Sequence, residues 1–199
     1  MRWSRDGALL LLLIVAVPCA AQTTDAHTDP PRPRGWWGGF EAGFSAIRFA
    51  CEDCPEDQPA QAAPFVQVSV GRSIGSSVGL GLEVSLTRPG NGGDRLLATT
   101  VAGAARWYPT QAGAFVKIGI GLARARLRLA SHVTSDDSLE NGVGISIGVG
   151  YDLHVGRRMA ITPIANWFIC AVGDVVVPDR RIRSVSWNNW SVGAGLTFF

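Results

Sequence analysis

Lysine is nearly absent from this chain: of 18 lysines and arginines in 199 residues, only Lys117 is a lysine. Past the N-terminal segment no apolar run approaches the ~20 residues that a membrane-spanning helix needs. No segment repeats its apolar residues at a helical period either. Charge bias is also missing, because 16 acids leave a formal net charge of only +2, and no basic stripe offers itself to nucleic acid. No second Cys-x-x-Cys accompanies Cys51-Glu-Asp-Cys54, which puts the zinc and redox readings of that pair behind a structural one. Helical membrane proteins and nucleic-acid binders are set aside on these grounds.

What is present begins with Arg2 and Arg5, the apolar run from Ala8 to Val17, and then Pro18-Cys19-Ala20-Ala21. This order of positive, apolar and small residues reads as a secretory signal peptide over residues 1–21, cleaved after Ala21. Pro18 argues against acylation of Cys19. Residues 22–35, QTTDAHTDPPRPRG, are polar and proline-rich and read as a flexible periplasmic leader. Removing Arg2, Arg5 and Asp6 leaves 16 basic and 15 acidic residues. An exported chain meets oxidising surroundings. A disulfide is therefore expected among Cys51, Cys54 and Cys170, either local or linking one of the pair to Cys170.

From Trp36 to Phe199 the period is two. Eight alternating runs can be marked: 36–48, 65–72, 78–87, 96–108, 114–125, 141–153, 159–169 and 185–199. The third is the cleanest, setting Val78, Leu80, Leu82, Val84 and Leu86 against Gly79, Gly81, Glu83, Ser85 and Thr87. The sixth, NGVGISIGVGYDL, has its glycines on a strict two-residue beat with no following helix, unlike a phosphate-binding G-x-G-x-x-G loop. Pro163 in the seventh implies a local irregularity. Short connections (74–77, 109–113, 154–158) alternate with longer ones (49–64, 88–95, 126–140, 170–184). Ten of the 15 remaining acids fall in the longer set. An even strand count with short turns at one end and long charged loops at the other is the pattern of an outer-membrane barrel. The fold class expected is all-β, an eight-stranded antiparallel up-and-down transmembrane barrel over residues 36–199.

Composition decides which face points outward. A water-facing side would carry many lysines and glutamates, but the face opposite the apolar one is glycine, alanine and serine, which suits a narrow lumen. The apolar face lacks charge through the middle of the strands, as lipid demands. Trp36, Trp37, Trp107, Tyr108 and Tyr151 near one end, and Trp167 and Trp187 near the other, are expected to form two interfacial girdles. The charges of the small-residue face, Glu41, Glu83, Arg106, Lys117 and Asp152, then become a salt-bridged network closing the lumen near the short-turn end.

The segments WWGGFEAGFSAIRF, ARWYP, AFVKIGIGLA, VGYDL and the terminal VGAGLTFF resemble the small outer-membrane β-barrel domains of the OmpA/OmpX type. The resemblance spans about Trp36 to Phe199. It implies an outer-membrane location, contact with lipid and lipopolysaccharide, and recognition by the outer-membrane assembly machinery through a terminal phenylalanine. Phe199 stands in that place, with Phe198 carrying the apolar parity.

Chemistry is sparse. Ser131, His132, Asp136 and Glu140 share one loop without the spacing of a catalytic triad, so neither catalysis, a metal nor a cofactor is expected. Glu52, Asp53, Glu56 and Asp57 read as a solvated acidic loop rather than a cation site. Arg124, Arg126 and Arg128 continue the outward parity of Ile118, Ile120 and Leu122, and arginine forks match phosphate. They are candidates for lipopolysaccharide contact, with Arg180, Arg181 and Arg183 extending the rim. The reading is a monomeric barrel with a structural or surface-interaction (adhesion-like) role toward an extracellular ligand. The alternatives are a narrow pore for small solutes and a lipid A-modifying enzyme.

Overall fold

The computed structural model describes residues 35–50, 52, 59–91, 94–110, 112–128, 138–177 and 180–199. The expected signal peptide and almost all of the leader lie outside these residues. Eight long strands are present: β1 (Trp36–Ala50), β2 (Gln61–Ile74), β3 (Val78–Thr87), β4 (Asp94–Trp107), β5 (Ala114–Arg128), β6 (Ser138–Tyr151), β7 (Met159–Val177) and β8 (Arg180–Phe198). Two-residue extensions, Gly90–Asn91 and Leu153–His154, pair against β4 and β7. Each strand is antiparallel to its sequence neighbour, and β8 returns to β1 over thirteen residue pairs, from Gly38↔Phe198 to Ala50↔Ser186. The barrel is closed. There is no helix among the described residues.

Closure fixes the tilt. Following paired residues around the wall gives Gly39, Ser69, Glu83, Ala102, Gly121, Gly144, Cys170 and Trp187, and then β1 again at Phe49, ten residues beyond the start. With strands ~4.8 Å apart rising ~3.3 Å per residue, that stagger tilts them by about 40° and advances each residue about 2.5 Å along the axis. Eight strands at this tilt leave a bore that side chains alone can fill.

Alternation sorts the residues as the composition implied. Val78, Leu80, Leu82, Val84 and Leu86 are exposed on the exterior, as are Ile118, Ile120 and Leu122 of β5 and Val143, Ile145, Ile147 and Val149 of β6. Inside, the small residues make holes and the rings fill them. A Cβ on Gly150 would lie 2.4 Å from the ring of Phe115, one on Gly144 2.5 Å from that of Phe168, and one on Gly71 2.4 Å from the indole of Trp37. Near the longer connections Ile47, Ala98, Ala123, Phe168, Cys170 and Trp187 form an apolar layer across the bore.

Three aromatic assignments change. Trp36 is 71% exposed, but Trp37 is 5% exposed and lies in the lumen, on the same parity as Glu41. Trp187 is likewise buried in the apolar layer. Tyr108 is half-buried and turned to Asp152, to which its hydroxyl donates at 3.0 Å. The exterior aromatics are Trp36, Trp107 and Tyr151 at one end and Trp190, stacked on half-buried Trp167, toward the other.

The irregularity expected at Pro163 falls on its neighbour. The β6–β7 ladder stops at Gly150↔Ile164 and resumes at Leu153↔Ile161. Between them the Asp152 N–H donates to the Gly113 carbonyl at 2.9 Å, so the missing N–H of Pro163 sits beside an interrupted ladder. Gly113 has φ +104°, and a Cβ there would meet the Asp152 carbonyl at 2.6 Å. Strands also run further than the alternation. Part of the stretch expected as loop after Ile169 is paired, with Val175, Val176 and Val177 opposite Ile182, Arg181 and Arg180. A register shift separates this ribbon from the wall, where Gly173 (φ 90°) and Ser184 (φ 54°) lie. Beyond the lipid no alternation of polarity is needed, so backbone pairing outlasts the sequence signal.

Gly150→Leu should lower the stability of the refolded barrel by about 1–3 kcal/mol, the usual cost of forcing extra atoms into a packed interior. Gly38→Ala, whose Cβ meets only an ordinary 3.7 Å contact, should stay within about 0.5 kcal/mol. Urea titration followed by tryptophan fluorescence would rank the two, and equal midpoints would refute the interlocking interior.

Candidate functional site

Four strands each deliver one charge to the same point of the lumen. Glu41 comes from β1, Glu83 from β3, Arg106 from β4 and Lys117 from β5, all on inward positions and all buried. Arg106 and Lys117 are direct cross-strand partners, an arrangement that repels unless acids intervene. They do: Arg106 Nη2 lies 3.3 Å from Glu41 Oε1 and 3.4 Å from Glu83 Oε1, and Lys117 Nζ lies 2.6 Å from Glu83 Oε2. Arg106 also donates to Ser69 Oγ at 3.1 Å. Its guanidinium carbon is 4.2 Å from the centre of the Trp37 ring and 5.1 Å from that of Phe115. These faces attract the cation and flank it where Nε and Nη1 have no hydrogen-bond partner. Two acids and two bases cancel, which makes their burial tolerable.

Asp152 stands apart from these ion pairs. It accepts from Tyr108 and, at 2.8 Å, from Thr162 Oγ1, which shares a 2.8 Å hydrogen bond with Thr197. Asp152 thus ties the β4–β5 turn to β7 and β8 at the short-turn end.

Between the ion pairs and the apolar layer lies a cavity of about 30 Å³ with a mixed lining, in which Gln67, Ser146, Asn166 and Asn189 meet the rings of Phe65 and Phe168, with Glu83 and Lys117 at its edge. Gln67 Nε2, Ser146 Oγ, Asn189 Oδ1 and both amide atoms of Asn166 have no hydrogen-bond partner. At roughly 10–15 Å³ for each water, the space suits about two water molecules.

On the exterior, Arg124 is exposed at the loop end of β5, following Leu122 on the outward face. Arg126 and Arg128 continue that strand, but their side chains lie outside the described residues. Arg128 is the backbone partner of Arg95 on β4. Arg180 and Arg181 are on β8, separated from β5 by β6 and β7. The side chains of Arg180, Arg181 and Arg183 are outside the described residues.

Of the three cysteines among which a disulfide is expected, one is described. Cys170 is a free thiol buried in the lumen. Cys51 and Cys54 lie outside the described residues, as do Asp53, Glu56, Asp57, Ser131, His132 and Asp136. The described residues contain no metal-binding group of acids, histidines and cysteines. Phe198 is exposed on the outward face. Phe199 stacks on His154 with ring centres 5.4 Å apart, and its N–H donates to the Arg158 carbonyl at 3.0 Å. Trp37 and Phe115 were not singled out as site residues from sequence. Their parity, shared with Glu41 and Lys117, was the signal that places them there.

No family model and no curated protein matches the chain. Solved structures do. Neisserial surface protein A is 15% identical with a TM-score of 0.56, the match covering 82% of this chain and 96% of that one. Ail, the attachment invasion locus protein of Yersinia pestis, is 12% identical with a TM-score of 0.57, covering 83% and 100%. The fold is that of the small outer-membrane β-barrels. Within this small-barrel fold the two matches span nearly the whole of the compared chains, so the similarity extends over the wall as a whole rather than one hairpin.

Glu83→Gln leaves Lys117 buried without its acid and should cost the barrel about 3 kcal/mol. Adding Lys117→Met should restore a substantial part of that loss, since the stranded charge is then gone. Urea unfolding of the single and double variants provides the test, and a double variant no more stable than Glu83→Gln would refute the pairing.

Proposed function

We propose that the chain is an exported outer-membrane barrel with a structural and surface-interaction role, its termini periplasmic and its longer connections meeting an extracellular ligand. One observation carries this reading. Exposed leucine, isoleucine, valine and phenylalanine cover the exterior on every strand, while each ion pair among the described residues is inside. In water so continuous an apolar surface would be an association liability; toward lipid it is the required solvent match. The ten residues of β3 at about 2.5 Å each span about 25 Å, the height of the apolar band of such barrels. Trp36, Trp107 and Tyr151 at one edge and the Trp167–Trp190 stack, with ring centres 4.9 Å apart, toward the other suit the two interfaces. The names of the two compared proteins, a surface protein and an attachment invasion locus protein, support a role in surface contact. No reaction is part of this reading, and mass spectrometry of lipid A from cells with and without the protein would expose one.

The second reading is a narrow pore for small solutes, favoured by the cavity and the polar side chains without partners on its lining. Against it stand the ion pairs on one side of the cavity and the apolar layer on the other.

Membrane-extracted protein should migrate differently in gels before and after boiling, as folded barrels do. Absence of a shift together with a soluble periplasmic location would overturn the reading. In planar bilayers the purified barrel should give no sustained conductance, and a large steady current would favour the pore.

A further inference from the structure

The geometry points to a bound-water site in the lumen, organised by the ammonium of Lys117 and closed between the ion pairs and the apolar layer. The site is independent of what the longer connections meet outside. Arginine supplies every cationic side chain but one, and that one, Lys117, is 1% exposed at the edge of the cavity. A guanidinium is broad and weakly hydrated, whereas an ammonium is a compact, strongly hydrated charge with three donors. One of these donors goes to Glu83 Oε2 at 2.6 Å. The other two N–H bonds have no acceptor among the described residues. A lysine in this chain of arginines thus stands where its spare donors meet open space, and water is what an ammonium holds best.

Two glycines make the room. A Cβ on Gly148 would lie 2.3 Å from Asn166 Oδ1 and 3.2 Å from Lys117 Cε, and one on Gly119 would lie 2.6 Å from Ser146 Oγ. The Asn166 amide and the Lys117 stem therefore share the space that Gly148 leaves. Both amide atoms of Asn166, with Gln67 Nε2 and Ser146 Oγ, still have no partner, although Asn166, Gln67 and Ser146 are only 7%, 5% and 7% exposed. Polar groups buried this deeply are costly unless hydrogen-bonded. The unmet groups are of both kinds: N–H donors on Lys117, Gln67 and Asn166, carbonyl acceptors on Asn166 and Asn189, and a Ser146 hydroxyl that can serve as either. An anion would face the two carbonyls and the Glu83 carboxylate, and a cation would face Lys117 and the amide N–H groups. A neutral molecule that both donates and accepts serves the whole lining. The 30 Å³ of space limits it to about two water molecules at roughly 10–15 Å³ each. Phe65 and Phe168 bound that space without competing for hydrogen bonds.

The test uses the purified, isotope-labelled full chain in phosphatidylcholine nanodiscs, reading nuclear Overhauser effects between water and the side chains of Gln67, Asn166 and Lys117. As the only lysine, Lys117 gives a single set of side-chain signals. The wild type should show water cross-peaks at all three, with laboratory-frame and rotating-frame effects of opposite sign, the mark of water that stays in place. Lys117→Arg keeps the charge beside Glu83 and should abolish the water cross-peak at Asn166. Asn166→Leu should lower the urea midpoint, because Gln67 and Ser146 then lose their water. In a dry cavity the same change would fill a void and raise the midpoint. Missing cross-peaks in the wild type, an undiminished cross-peak in Lys117→Arg, or a raised midpoint in Asn166→Leu would each overturn the inference. Effects of the same sign in both frames, as from water in rapid passage, would overturn it as well and favour the pore. The boiling shift, measured on every variant, shows that the barrel has formed, and the wild-type spectrum tests the site even where a variant fails to form it.

Discussion

Space inside the wall is the constraint from which the rest of this structure follows. Eight strands with a circuit that closes ten residues out of step leave a bore that side chains alone fill. Interior positions therefore come in complementary sets, a ring or a long charged chain on one strand facing a glycine or serine on the next. Gly150 and Phe115, Gly144 and Phe168, and Gly71 and Trp37 are such sets. The stretch NGVGISIGVGYDL, whose glycines invite comparison with a phosphate loop, is one wall of this arrangement. Its apolar residues face outward for the same reason that its small ones face inward.

The same confinement governs the charges. Arg106 and Lys117, neighbours across two strands, coexist only because Glu83 reaches both and Glu41 reaches Arg106. Trp37 then belongs to the electrostatics as much as to the packing, since its ring faces a guanidinium that the acids satisfy only in part. Balance within this ion-pair cluster is shared among four strands.

Strand number, order and facing were legible because lipid outside and a narrow bore inside impose opposite demands on successive residues. Val78 to Thr87 was readable to the residue for that reason. Legibility failed where one of those demands lapses. Past Ile169 there is no lipid to keep the alternation, and the pairing of Val175–Val177 with Arg180–Ile182 left no period to detect. Trp37 and Trp187 were misread because tryptophan near a strand end suggests an interface, although parity already assigned both to the lumen. Asp152 shares a face with the other four charges yet answers to Tyr108 and Thr162 instead. Face can be counted along a strand, but height around a tilted wall depends on a stagger known only once the register is closed.

The paired ribbon that continues β7 and β8 past the wall changes how the molecule would present whatever it contacts. Beyond the register shift near Gly173 and Ser184, Val175–Val177 and Arg180–Ile182 stay paired for about 10 Å. A ladder of backbone hydrogen bonds transmits direction, as a loose loop of equal length does not. The paired segments Val175–Val177 and Arg180–Ile182 thus form a short stiff arm that leaves the rim at the register shift.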